Sequence, residues 1–250
     1  MKTELIYGLH SVQALLKSAP QRIRKLMLLT GRDDQKLQKV VNFAEREGIS
    51  LERWSRAKLD ALVDGNHQGV VAECDPGQVH DEAFLLKLIE RLDEPAFLLV
   101  LDGVTDPHNL GACLRSAEAA GVHAVIVPKD NSASLTGVAR KVACGAAEVL
   151  PLVPVTNLAR TLNKLRDAGV WFQGAAGEAT VGLYQADLTG PLGIVMGAEG
   201  DGLRRLTRET CDGLISIPMA GEVSSLNVSV ATGVCLFEAV RQRSALATKS

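Results

Sequence analysis

Apolar residues along this chain fall into two rhythms. A three-to-four-residue recurrence marks helices, and short unbroken runs mark buried strands. Leu9, Val12, Leu15 and Leu16 keep the first rhythm, which predicts a helix over residues 8–16. Residues 25–29 read as a short strand ended by Thr30-Gly31. Asp33 and Asp34 can start the next helix, whose face is Leu37, Val40, Val41 and Ala44 and whose end is Gly48. Residues 49–53 form a candidate strand, Ser55 can cap a helix over 56–63, and the turn 66–69 precedes a strand over 70–74. Residues 1–74 therefore read as a small α/β domain.

Asp75-Pro-Gly-Gln78 is the boundary, and a connecting helix over 81–92 completes a linker, residues 75–95, that Pro95 ends. The second domain, residues 96–250, opens on the apolar run 96–101, which suits a parallel strand covered on both faces. Helices over 109–120, 135–142, 156–168 and 203–210 then intersperse strands over 124–127, 170–175, 193–197 and 214–217. A long apolar helix over 228–240 closes the pattern. Such alternation predicts a parallel sheet with helices on both faces, and ligands sit at the carboxyl ends of its strands.

Composition narrows the class. The 250 residues are 46% hydrophobic and 22% charged, ordinary for a globular protein, but only 4% aromatic, so the cores must be aliphatic. No run is long enough to span a membrane and the N-terminus lacks a signal-peptide core, so the expected location is the cytoplasm. Five scattered cysteines and five histidines show no metal-ligand spacing, and no metal is expected. The net charge of −2 argues against a nucleic-acid binder, yet it is unevenly spread. Residues 1–73 carry 12 Lys+Arg against 9 Asp+Glu, and residues 74–250 carry 15 against 20. Arg22, Arg24, Lys25, Arg32, Lys36 and Lys39 crowd the basic part, either as a solvated surface or as phosphate contacts.

Three stretches leave the carboxyl ends of predicted strands. In the first, residues 102–115, Asn109 stands where a helix should begin and so reads as its cap, with His108 beside it. Arg115 lies near the edge of the apolar stripe Leu110, Leu114 and Ala117, either snorkelling to water or held inward for a phosphate. The second, Met196-Gly-Ala-Glu-Gly-Asp-Gly-Leu203, has its glycines in neither the dinucleotide nor the P-loop order. They suggest backbone closely approached by a flat ligand, with Glu199 either solvated or facing a cation. The third, residues 217–231, sets Ser224, Ser225 and Asn227 at the mouth of the last helix, more small polar groups than one cap needs.

Together these stretches carry a resemblance. Asn109 with Arg115, Gly197-Ala-Glu199-Gly200, and Ile217-Pro218 with Ser224-Ser-Leu-Asn227 resemble the three motifs of the SpoU/TrmH-type RNA 2′-O-ribose methyltransferases of the SPOUT class. The likeness runs from about residue 6 to residue 244 and departs at no motif position. Within the family it points to bacterial enzymes that methylate a guanosine 2′-oxygen of 23S rRNA, in the P-site loop of the peptidyl transferase centre. The resemblance implies a homodimer whose C-terminal segment forms a trefoil knot, and a small N-terminal RNA-binding domain of the ribosomal-protein L30e type. It implies S-adenosylmethionine bound against Gly197, Ile217 and Leu226, with 23S rRNA or a large-subunit precursor as substrate. It implies a catalytic set in which Arg115 stands by the 2′-hydroxyl and phosphate, Asn109 and Glu199 position it, and Ser225 and Asn227 hold RNA or order the loop. Arginine is almost never deprotonated in proteins, so the expected role of Arg115 is to anchor phosphate and stabilise developing alkoxide. On the residues alone, a non-catalytic RNA-binding or ribosome-assembly protein, a Rossmann-type nucleotide enzyme and a tRNA 2′-O-methyltransferase stay open.

Overall fold

A computed structural model describes residues 3–247. The chain begins with β1 (Glu4–Tyr7), α1 (Leu9–Ser18), β2 (Ile23–Leu29), α2 (Gln35–Arg46), β3 (Ser50–Trp54), α3 (Arg56–Leu62) and β4 (Val70–Cys74). The four strands form a sheet of order β1-β4-β2-β3. β4 runs antiparallel to β1 and β2, and β2 runs parallel to β3. Leu9, Val12, Leu15 and Leu16 of α1 meet Leu37, Val40, Val41 and Ala44 of α2 on one face of this sheet, the stripes expected from their spacing. Each such aliphatic side chain contributes about 1.5–3 kcal/mol on full burial. Asp34 caps α2 through the backbone N–H groups of Lys36 and Leu37, and Ser55 caps α3 through that of Lys58. β1 was not expected: of its residues only Ile6 is buried, so it shows no alternation and exists by pairing with β4.

Next come α4 (Glu82–Arg91), β5 (Phe97–Asp102), α5 (Pro107–Ala119), β6 (Ala124–Pro128), α6 (Gly137–Val142) and a short 3-10 turn, Ala146–Glu148. β7 (Leu152–Val155), α7 (Leu158–Asp167), β8 (Trp171–Ala175), β9 (Val181–Gly182), β10 (Leu192–Gly197), α8 (Arg205–Thr210), β11 (Gly213–Ser216) and α9 (Val228–Ala247) follow. Seven strands make one parallel sheet of order β7-β6-β5-β10-β8-β11-β9. β5 is buried along its whole length, as its unbroken apolar run requires. β7 and β9 were not expected: both are edge strands, the first interrupted by Pro154 and the second two residues long. α9 extends seven residues beyond its expected end at Val240.

The order of this sheet decides where a ligand can sit. From β5 the chain builds outward through β6 to β7, then crosses to the other side for β8, leaving a space that β10 fills. The direction of winding therefore switches between β5 and β10, where parallel sheets open a crevice at their carboxyl ends. The two strands are level there, since Gly197 lies opposite Asp102 and Met196 opposite Leu101. α9 is brought to the same point by packing on α5, where the buried Cys113 Sγ and Thr232 Oγ1 lie 3.5 Å apart.

Candidate active site

A cleft of about 450 Å³ opens at that switch, lined among others by Asp106, Asn109, Glu199, Asp201, Arg204 and Val228. Its floor is set by Asp102, the last residue of β5, whose side chain is fully buried. A buried carboxylate needs partners, and Asp102 accepts from the backbone N–H of Arg204 at 3.0 Å and from its Nε at 2.6 Å. The strand ending in Asp102 thereby holds the loop that follows β10. This pair was missed in the sequence; the signal was an ionisable residue ending an otherwise apolar strand.

The loop after β10 is a tight hairpin. Ala198 and Gly202 exchange two backbone hydrogen bonds of 3.0 Å, and Gly200 and Gly202 adopt φ of +85° and +68°. A Cβ on Gly197 would overlap the backbone of Gly202 and Leu203. The close approach at Gly197 is made by the hairpin's own backbone, which presents Glu199 at its exposed tip.

Asn109 also departs from expectation. Asp106 is the cap of α5, accepting from the His108 backbone N–H, a bond that holds its carboxyl below the usual carboxylate range. Pro107 follows at the first helical position, where its missing N–H costs nothing, so the helix starts two residues early and Asn109 lies inside it. Freed from capping, Asn109 is buried at the cleft and accepts at Oδ1 from Asn227 Nδ2 at 3.0 Å. The same Asn227 nitrogen donates to Glu199 Oε1 at 2.7 Å. Asn227 Oδ1 in turn accepts from the backbone N–H of Ser229 at 2.9 Å and from its hydroxyl at 2.6 Å, capping α9. One carboxamide thus ties together three stretches separated by up to 118 positions, and its hydrogen-bonding capacity is spent doing so.

Arg115 is not brought into this cluster. Six residues beyond Asn109, it faces about a third of a turn round α5. It is exposed, and its Nη1 donates to Cys144 Sγ at 3.5 Å rather than to Asn109 or Glu199. Ser225 is exposed on the loop before α9, Leu226 is partly exposed, and Ile217 packs against the core under α5 and α9. His108 is exposed with Nδ1 3.3 Å from Asp106, outside the linked cluster. Burial pushes the thiol of Cys113 up to about 11 and those of Cys74, Cys211 and Cys235 to about 12, so none is a nucleophilic thiolate at neutral pH. Among the described residues no group of three or more His, Cys, Asp or Glu side chains is placed to hold a metal, and no helix is long and apolar enough to cross a membrane.

The basic cluster of the first unit is largely consumed by ion pairs. Arg24 pairs with Asp75 at 2.5 Å, Lys25 with Glu52 at 3.4 Å and Glu73 at 3.6 Å, Arg32 with Asp34, and Arg22 with Glu4 at 3.3 Å. Lys25 lies directly opposite Glu73 across the antiparallel pair β2–β4, which is why they meet. Lys36 and Lys39 remain exposed on α2.

Comparison with known proteins agrees with this geometry. Residues 96–237 match the model of the SpoU rRNA Methylase family, and residues 5–79 match that of the RNA 2′-O ribose methyltransferase substrate binding domain. The chain is 63% identical over 242 residues to the 23S rRNA (guanosine-2′-O-)-methyltransferase RlmB of Pseudomonas syringae pv. tomato, covering 97% of each chain. It is 61% identical over 243 residues to the enzyme of that name from Escherichia coli K12, covering 97% of this chain and 100% of the other. The crystal structure of an AdoMet-bound rRNA methyltransferase from Sinorhizobium meliloti superposes with a TM-score of 0.76 at 25% identity, covering 96% of this chain and 87% of that one.

Proposed function

Because this chain belongs to the SpoU rRNA methylase family, we propose that it transfers a methyl group from S-adenosylmethionine to the ribose 2′-hydroxyl of a guanosine in 23S rRNA, in the P-site loop. The observation that carries this reading is the Asn109–Asn227–Glu199 linkage beside a cleft at the switch point of the sheet. The cofactor supplies a methyl group on a cationic sulfur. Asp106, Glu199 and Asp201 give the cleft a negative field that favours a cation nearby, the charge of Arg204 being spent on Asp102, although Gly197, Ile217 and Leu226 do not line the cleft itself. The backbone at Gly197, Ile217 and Leu226 would hold that donor.

The chain must align the ribose oxygen with the methyl carbon and take up the hydroxyl proton. As the carbon–oxygen bond forms, the carbon–sulfur bond breaks and its electron pair stays on sulfur. Glu199, exposed on the cleft and oriented by Asn227, is the carboxylate able to accept the proton. Arg115 grips the neighbouring phosphate and stabilises the developing alkoxide, with Asn109 fixing the loop and Ser225 meeting RNA. Residues 1–74 are the RNA-binding domain, of ribosomal-protein L30e type, joined to the catalytic domain through residues 75–95. In this proposal the C-terminal segment threads a knot, a reading supported by its path from Ser216, at the end of β11, to Val228, where the helix packed on α5 opens. Val230 and Phe237, seven residues apart on α9, are exposed with Val223 and Leu226, an apolar surface that a second copy would cover in a homodimer. Such a protein works in the cytoplasm, on 23S rRNA or a precursor of the large subunit.

Transfer of labelled methyl to unmodified 23S rRNA tests the proposal. Label is expected on one ribose, and none when that nucleotide is 2′-deoxy. Label on a base, or on tRNA alone, would sink it.

A further inference from the structure

Residues 137–148 lie between the two sheets and touch both units. On one side they meet α5 backbone to backbone: a Cβ on Gly111 would overlap the carbonyl of Ala139 and come within 2.8 Å of Val142 Cβ. Cys144 accepts the hydrogen bond from Arg115 on this side. It does so in a left-handed conformation, φ +52°, rarely adopted outside glycine, and Gly145 continues it at φ +98°. On the other side the segment meets the N-terminal unit. A Cβ on Gly145 would lie 2.7 Å from Ala14 Cβ and 3.0 Å from the His10 carbonyl oxygen, so α1 rests on the residue next to Cys144. Ser18 Oγ donates to the Glu148 carbonyl at 3.2 Å.

Four charges, two from each unit, surround this contact. Glu148 is 1% exposed and pairs with Arg140 at 2.5 Å and with Arg22 at 3.7 Å, and Glu4 lies 3.3 Å from Arg22 and 3.5 Å from Arg140. The second Glu148 oxygen is buried without a hydrogen bond, so its contact with Arg22 is ionic and loose. The N-terminal unit is therefore in direct contact with the segment whose Cys144 accepts the bond from Arg115.

We infer that residues 137–148 are a coupling element through which the placement of the N-terminal unit sets the position of Arg115, so that RNA gripped by the first unit is registered with the reacting group. Glu148, Cys144 and Gly145 are then positioning residues, acting through Arg115. The inference rests on the methyl-transfer reading for its consequence but not for its geometry, and the experiment separates the two.

In the full chain, Glu148→Gln keeps the shape of the buried side chain and removes the charge facing two arginines. Gly145→Ala presses on α1 and strains its own backbone at φ +98°, and Ala14→Gly in the same chain relieves the contact with Ala14 Cβ alone. Both single variants are expected to lose about tenfold in kcat at saturating 23S rRNA, the scale of a misplacement well under 1 Å, with KM for RNA and cofactor affinity unchanged. The double variant Ala14→Gly with Gly145→Ala is expected to recover part of the rate. Modification of Arg115 by phenylglyoxal, followed by mass spectrometry, is expected to speed up several-fold in both single variants. A rise in KM at constant kcat, or wild-type rate and Arg115 reactivity throughout, would overturn the coupling. If the unaltered chain methylates no RNA, the functional reading fails, while Arg115 reactivity still decides the coupling. If Glu148→Gln does not fold, the Gly145 and Ala14 variants decide it.

Discussion

The basic cluster of the first unit and the polar loops of the second met opposite fates. Arg22, Arg24, Lys25 and Arg32 are neighbours in sequence, yet they meet different carboxylates: Lys25 faces Glu73 across the β2–β4 pair, Arg32 the nearby cap Asp34, Arg22 Glu4 at the start of β1, and Arg24 Asp75 just after β4. Asn109, Glu199 and Asn227 are far apart in sequence, yet they share hydrogen bonds, because level strand ends and a packed helix deliver their loops to one point. Proximity along the chain is a poor guide to a site in a sheet protein, whereas position at a strand's carboxyl end is a good one. Four sets of substitutions would break or sharpen that contrast.

The largest effect is expected at Arg115. Arg115→Ala should lower single-turnover methyl transfer about 10²- to 10³-fold, the scale of losing one transition-state donor, while calorimetric cofactor binding holds. Arg115→Lys keeps the charge without the planar fork and should recover only part. Near-normal turnover in either would remove Arg115 from the chemistry.

Asp102→Ala comes next, as a stability effect. It strands the Arg204 backbone N–H and deletes charge-assisted bonds, and should cost about 2–3 kcal/mol in denaturant unfolding, less than a fully buried pair because Arg204 is half exposed. A variant as stable as the parent would show that the hairpin does not depend on β5.

Asn227→Ser is smaller and more discriminating. Serine caps a helix about as well as asparagine, so the thermal midpoint should barely move. It lacks both amide donors, so kcat should fall about tenfold if bridging Asn109 to Glu199 matters. A lower midpoint at unchanged kcat would reverse the assignment and leave Asn227 a cap alone.

The smallest effect concerns the first unit. If its exposed lysines reach phosphate, Lys36→Ala and Lys39→Ala should each reduce the salt dependence of RNA binding by about one in the log–log slope. Arg24→Gln and Lys25→Gln should leave the slope alone, since those charges already face Asp75, Glu52 and Glu73. The reverse pattern would mean that RNA displaces the internal partners.

Local order decided much of what could be read in advance. The α1 and α2 stripes, the Asp34 and Ser55 caps and the buried run of β5 follow from spacing and side-chain chemistry within a few residues. The three loops were also legible, because each follows a strand and each carries small polar residues. Three things were not. β1 exists only through its partner β4, and β7 and β9 only through the sheet edge they join. Asn109 reads as a cap only when the Asp106-Pro107 start signal is passed over, and its partner lies 118 positions away. That the atoms crowding Gly197 belong to its own hairpin could not be read from the glycine order either.

Residue order therefore settled the periodicities and the Asp34 and Ser55 caps, and pointed to the loops that meet at the cleft, since those depend on energies acting within one or two turns of chain. Strand order, the pairing of Asp102 with Arg204, the junction at Asn227 and the wedging of residues 137–148 between α5 and the first unit arose only when distant segments packed. Those contacts are chosen by which surfaces the whole chain can bury at once, a condition no short window of residues contains.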